Sequence, residues 1–294
     1  KINKMLGRVC GALLVAFLVS AQAASLKGVY YQVIGTGNFD VYTVDINVHS
    51  GEVTKEGQLG NAYGSYTTQC ELDTVQNLLY WPYPTPYENT AMTLSSGDIW
   101  YYDNLTVGLH VLGADKVLAL TSNDTTKQVF MSMLHPTERT TASTRIERIG
   151  ASAVHREAGV VIIATGSTFD FVHIESGQNT SLARDFAGEV QSLFYDAGDN
   201  TLLVVNRING SFSAALEVRH VAFSSHGAVS RVLLTVLDSE QQEVTGSAKQ
   251  QNQLVLMLST HMVVIDTAHA TQLKVKVSNA DPSAFACLTF GTSY

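Results

Sequence analysis

Apolar residues recur along this chain either in alternation with polar ones or in continuous runs of five to eight, closed by Gly, Asn, Asp or Ser. Examples are "GVYYQVIG" (28–35), "DVYTVDINV" (40–48), "LLYWPY" (78–83), "QVFMSML" (128–134), "GVVIIATG" (159–166), "DFVHIES" (170–176), "TLLVVNRI" (201–208), "QLVLMLS" (253–259), "HMVVIDTA" (261–268) and "QLKVKVS" (272–278). A period of two, or a short buried run bounded by turn residues, predicts strands. No stretch sustains the 3.6-residue period of an amphipathic helix. Only five prolines occur, and three cluster at Pro82, Pro84 and Pro86.

The strands come in sets of four. Residues 192–239 read "SLFYDAGDN", "TLLVVNRING", "SFSAALEVRHVAFSSHG" and "AVSRVLLTVLDS", joined by hairpin-type loops. The same succession runs through 153–188 and 244–281, more loosely through 67–113, and least regularly through 114–150. Starts near 67, 115, 151, 190 and 242 give a period of 35–50 residues. Four strands per repeat at that period predict propeller blades rather than a helical array. The N-terminal set, "SLKGVYYQVIG" onward, lacks its first strand, and "PSAFACLTF" (Pro282–Phe290) supplies one from the C-terminus. Pairing the two ends leaves neither as an exposed hydrogen-bonding edge. The expectation is an all-β, six-bladed β-propeller of four-stranded antiparallel blades, closed by the C-terminal strand completing the N-terminal blade. A two-sheet sandwich, or two smaller β domains, is the competing arrangement.

Residues before the first strand form a different segment. After Met5 come Arg8, the apolar run Val9–Val19 and "SAQA" ending at Ala23, the pattern of a cleaved secretory signal. The apolar stretch is too short for a membrane anchor, which needs about 20 residues. The expected division is therefore a signal peptide at 1–23 and one propeller domain at 24–294. Losing Lys1, Lys4 and Arg8 would take the net charge from −8 to −11. An acidic chain without a basic tract disfavours nucleic acid and anionic membranes as partners. A secreted or lumenal, monomeric product is expected, and sequons at Asn104, Asn123, Asn179 and Asn209 suit a glycoprotein. Chance occurrence of some sequons is the alternative. Two cysteines remain after the leader, Cys70 and Cys287. They form either one disulfide, in a compartment that permits it, or two buried thiols.

Three segments carry a resemblance. "ELDTVQNLLYW" (71–81) resembles the opening of a blade in six-bladed propellers of the YWTD and NHL type. "FYDAGDNTLLVV" (194–205) repeats it, with Asp196 and Asn200 in the places of Asp73 and Asn77, and "YTVDINVHSGEV" (42–53) resembles a third strand and its turn. Pro82-Tyr83 stand where YWTD repeats have Thr-Asp. The resemblance therefore implies a fold over 24–294, and not a receptor function.

On this assignment one face collects "GTGN" (35–38), "GNAYGSY" (60–66), "WPYPTPYENT" (81–90), "HPTERTT" (135–141), "TGSTF" (165–169) and "NRINGSF" (206–212). Proline pre-orders a loop, and tyrosine offers contact area at low rotamer cost. A protein or glycan ligand is expected there, held by Tyr63, Tyr83, Tyr87, Glu138, Arg139 and Arg207. Trp81 is expected to pack between blades instead. The rival reading is a cation-dependent hydrolase or lactonase working in the central channel, as resemblance to the gluconolactonase and strictosidine-synthase-like propellers implies. Its inner-strand candidates are Glu71, Asp73, His155, Glu157 and Asp196. Asp73 and Asp196 suit turn capping better. Glu71 and Glu157 remain as weak calcium ligands, too few for a hard cation, so no cofactor is expected. No G-x-S-x-G or H-E-x-x-H motif occurs, and His173 reads as an ordinary strand residue. No catalytic residue is assigned, and a binding protein is favoured over an enzyme.

Overall fold

The computed structural model describes residues 25–35, 38–63, 70–82, 88–93, 98–103, 108–113, 116–123, 128–133, 139–146, 150–209, 214–224, 227–236, 238–240 and 242–292. The Ala23 boundary and the leader lie outside them. Strands β1 (Ser25–Gly35), β2 (Asn38–Asn47) and β3 (Val53–Tyr63) form the closing blade, with the C-terminal β24 (Phe285–Thr289) as its innermost strand. Next come β4 (Glu71–Asp73), β5 (Leu78–Pro82), β6 (Glu88–Thr93) and β7 (Ile99–Asp103). Three further sheets follow in chain order: β8 (Gly108–Gly113), β9 (Lys116–Asn123), β10 (Gln128–Met133) and β11 (Arg139–Arg145); β12 (Ser152–His155), β13 (Val160–Ala164), β14 (Thr168–His173) and β15 (Asn179–Ala183); β16 (Glu189–Asp196), β17 (Thr201–Asn209), β18 (Ala214–Ser224) and β19 (Gly227–Thr235). The last is β20 (Val244–Gln250), β21 (Gln253–Leu258), β22 (Met262–Asp266) and β23 (Thr271–Val275).

The expectation of six uniform blades is corrected. Among the described residues five sheets are four-stranded, and the sheet of β4–β7 has five strands. Beyond β24 the chain reaches the free inner edge of β4, where β25 (Gly291–Thr292) pairs with it in parallel, Gly291 opposite Leu72 and Thr292 opposite Asp73. The edge that the closing strand leaves open is thus partly covered. A second correction concerns a boundary. The segment 108–113 does not end the unit begun at 67; it is β8, the innermost strand of the next sheet. The run "GLHVLG" is only six residues and glycine-bounded, so nothing local assigns it to either neighbour.

The core is annular. Separate clusters of buried side chains fill the gaps between neighbouring sheets, such as Val29, Tyr31, Val41, Trp81 and Cys287 between the closing blade and the β4–β7 sheet. Leu203, Val205, Leu254 and Leu256 do the same between β17 and β21. The hairpins between first and second strands share a local cause. Asp73 Oδ1 accepts from the Val75 and Gln76 amides at 2.8 and 3.0 Å, and Asn77 closes the turn at φ 56°. Asp196 accepts from the Gly198 amide at 3.1 Å, and Asn200 closes at φ 51°. An Asx side chain followed four residues later by a left-handed residue thus sets each turn. Asp266 and Ala270 repeat the device between β22 and β23.

Candidate functional site

The innermost strands β24, β4, β8, β12, β16 and β20 succeed one another around a central channel of about 1250 Å³. All six run in the same direction, because each sheet is entered from the outer strand of the one before. The channel therefore has two distinct mouths. Strand starts, the loops between sheets and the turns between second and third strands meet at one, here the entry face. The hairpins between first and second strands, and the turns between third and fourth, meet at the other, the exit face.

The binding candidates divide between these faces. Tyr63 ends β3 opposite Asn38, and Arg207 lies near the end of β17 opposite Leu216, both on the entry face. The Arg207 guanidinium donates to the Gln242 carbonyl and so ties β17 to the strand entering the next blade. Arg139, by contrast, opens β11 opposite Met133, on the exit face. Placing it with the others is corrected, for the same reason that β8 was misplaced: moving one strand out of the blade shifts every later loop to the opposite face. Tyr83, Tyr87 and Glu138 lie outside the described residues. Trp81 has no exposed surface and packs against Leu72 and Leu79 in the gap beside the closing blade. Among the sequons, Asn179 is an exposed residue opening the outer strand β15; Asn123 and Asn209 end β9 and β17, and Asn104 lies outside the described residues.

Glu71, His155 and Glu157 line the channel. Asp73 and Asp196 are the turn caps described above, and Asp196 Oδ2 also accepts from Lys249 Nζ at 3.0 Å. That cation, after the cost of burial, holds the Asp196 carboxyl below its ordinary range. Among the described residues no three His, Cys, Asp or Glu side chains converge as a cation site. His110 and Ser152, absent from the sequence reading, are also in the wall. The His110 Nε2–Ser152 Oγ distance is 2.9 Å across β8 and β12. Gly108 makes room for this contact, since a Cβ there would lie 2.6 Å from the Ser152 hydroxyl.

This pair has the outline of a nucleophile and its base, but not the electrostatics. Burial first, then the Arg156 charge, lowers the His110 pKa to about 3. An imidazole so weakly basic is a poor proton acceptor near neutral pH. Glu71 Oε1 stands 3.9 Å from Nδ1, beyond hydrogen-bond range, and with His110 neutral the contact is not an ion pair. His110 and Ser152 hold two blades together. The signal that could have found them is the short glycine-bounded run around His110.

Cys70, just before β4, is disulfide-bonded to Cys287 in β24, with Cα atoms 5.6 Å apart and 217 residues between them. The bond joins the closing blade to the sheet after it.

No protein-family model matches the sequence, and no curated protein does. Solved structures do match, 678 chains of them, so the architecture is too widely shared to select a chemistry. The chain is similar to a structure from a nidogen/laminin complex, with a TM-score of 0.62 at 12% identity over 91% of this chain and 99% of that one. A protein of unknown function from Bacteroides caccae gives 0.57 at 12% identity over 92% and 99%. A candidate 6-phosphogluconolactonase from Bacteroides fragilis gives 0.50 at 9% identity over 92% and 99%. At such identities the likeness is one of fold. The molecule is an all-β propeller with a central channel lined by both polar and apolar side chains.

Proposed function

We propose that this chain is a secreted six-bladed propeller, the β4–β7 sheet being the sixth blade, whose entry face binds a protein. The observation that carries the reading is the anchoring of Trp81. Its ring is fully buried between blades, so the segment "PYPTPY" that follows it leaves a fixed point at the end of β5. Pro82, Pro84 and Pro86 limit what that segment loses on binding, Tyr83 and Tyr87 would supply contact area, and Tyr63 and Arg207 stand on the face at which β5 ends. Secretion after cleavage at Ala23, glycans at the four sequons and a monomeric state belong to the same reading. The disulfide supports an oxidising compartment, and among the described residues no helix is long and apolar enough to cross a membrane.

The test is surface-plasmon resonance against immobilised laminin and a panel of secreted glycoproteins. Laminin is included because a propeller of similar fold was solved in a nidogen/laminin complex. Saturable binding to at least one protein is expected, weakened about tenfold or more, some 1.4 kcal/mol, in a Tyr83→Ala/Tyr87→Ala variant. No saturable binding across the panel, or none that the double variant weakens, ends the reading. The rival hydrolase reading is favoured by the channel itself, whose volume of about 1250 Å³ has room for a small molecule and whose wall carries convergent polar groups. A calcium ion there would draw on Glu71 and Glu157, and measuring metal in purified protein decides that point.

A further inference from the structure

The exit-face mouth of the channel holds a cluster that the proposed function does not use. It is built by β12, β16 and β20 with their hairpins. His155 and Tyr195, the ends of adjacent inner strands, stack with ring centroids 4.4 Å apart and planes 23° apart. The Tyr195 hydroxyl donates to Asn200 Oδ1 at 2.8 Å, so the turn residue in left-handed conformation fixes the ring. Burial, then the charges of Glu157 and Asp196, raises the Tyr195 pKa, which keeps that donor protonated. Lys249 projects from the next strand; its side chain is 11% exposed, and Asp196 holds it from outside the channel lining. Arg156, Glu157 and Gln250 complete the rim as exposed residues of the lining. His155 Nδ1 is buried without a partner.

The chemistry of this set is selective. Lys249 is balanced by Asp196, and the rim carries Arg156 against Glu157, so the mouth asks for no net charge in its ligand. An anion would meet Glu157 and Asp196, and a cation would meet Lys249 and Arg156. What the set offers is donors and acceptors in close alternation: ammonium, carboxylate, amide and guanidinium around an aromatic pair. A neutral polyhydroxylated ring satisfies both parts, its hydroxyls bridging the polar groups and its C–H groups packing beside the stacked aromatic pair. We propose that this mouth is a saccharide site, taking a neutral pyranose with Lys249, Glu157 and Gln250 on its hydroxyls and the His155–Tyr195 pair beside the ring. The site is on the face opposite Tyr63 and Arg207 and does not depend on the protein-binding reading.

A free monosaccharide and the end of a glycan present the same ring, so the test has two arms. Purified protein is titrated by saturation-transfer NMR with D-glucose, D-galactose and N-acetyl-D-glucosamine, and with glycopeptides ending in those sugars. Saturable binding is expected in at least one arm, and the arm that responds identifies the source. Lys249→Gln is expected to weaken it about tenfold or more, with a lower melting temperature because the Asp196 pair is lost, and Gln250→Ala to weaken it measurably at unchanged melting temperature. Gln250 is exposed, so its variant decides the matter if Lys249→Gln fails to fold. The Tyr83→Ala/Tyr87→Ala variant is expected to bind sugar as the wild type does. No saturable binding in either arm, or wild-type binding by every folded variant at Lys249 and Gln250, overturns the proposal.

Discussion

His110 shows how burial fixes a protonation state that its neighbours cannot reverse. With the folded pKa at about 3 and the ordinary value at 6.5, the unfolded chain takes up the proton first. Stability is therefore complete above about pH 6.5 and is lost as pH falls toward 3, by up to about 1.4 kcal/mol per unit. The lowered carboxyls of Asp185 and Asp196 contribute stability above their ordinary value of 3.8 and lose it below. Urea midpoints between pH 5 and 6.5 thus isolate the histidine, and His110→Asn is expected to flatten the slope in that window. An equal slope in the variant would show that another group carries it. Trp81 is a simpler case. Truncating a fully buried indole to alanine is expected to cost about 3–5 kcal/mol, read as a shift in denaturant midpoint.

Elements meet at backbone-to-backbone approaches that only glycine permits. The turn after β2 packs on the segment after β23: the Ser278 amide donates to the Gly51 carbonyl at 2.9 Å, and the Val53 amide to the Ser278 carbonyl at 3.2 Å. Gly51 has φ 69°, and a Cβ there would lie 2.2 Å from the Lys276 carbonyl oxygen. Gly51→Ala is expected to destabilise by about 2 kcal/mol or more, from left-handed strain and displaced backbone together. Gly113 in β8 has open space around it, so Gly113→Ala is expected within about 0.5 kcal/mol of wild type. Similar thermal midpoints for the two variants would mean that the seam between β2 and β23 is not tight. The strands themselves were legible because period-two patterning is local, and the Asp73–Asn77 and Asp196–Asn200 turns because an Asx cap needs only its own neighbours. The innermost strand β8 was not legible. Its six residues carry no local preference for one sheet over the next, and that one ambiguity put Arg139 on the wrong face and hid His110.

For the whole ring, closure is the deciding event. β24 pairs with β1, Lys27 opposite Thr289, and the disulfide then ties β24 to the start of β4. Chain entropy gives on the order of 5 kcal/mol for so long a loop, and native strain or residual unfolded structure reduces it. A Cys70→Ser/Cys287→Ser variant is expected to lose about 2–5 kcal/mol, with the wild type falling to the same midpoint under reductant. An unchanged midpoint in both would mean that the annular core alone holds the ring shut. By itself the sequence determined the strand class, the four-strand repeat, the pairing of the chain ends and the burial of Trp81. Each of these follows from side-chain period, turn chemistry or residue count, which a chain carries wherever it folds. Only the tertiary structure decided that β8 faces the channel as the first strand of its sheet, that the Arg139 turn lies on the exit face, and that His155, Tyr195 and Lys249 meet at one mouth. Those are contacts between residues of different blades, fixed by how the sheets pack against one another, and no local pattern encodes them.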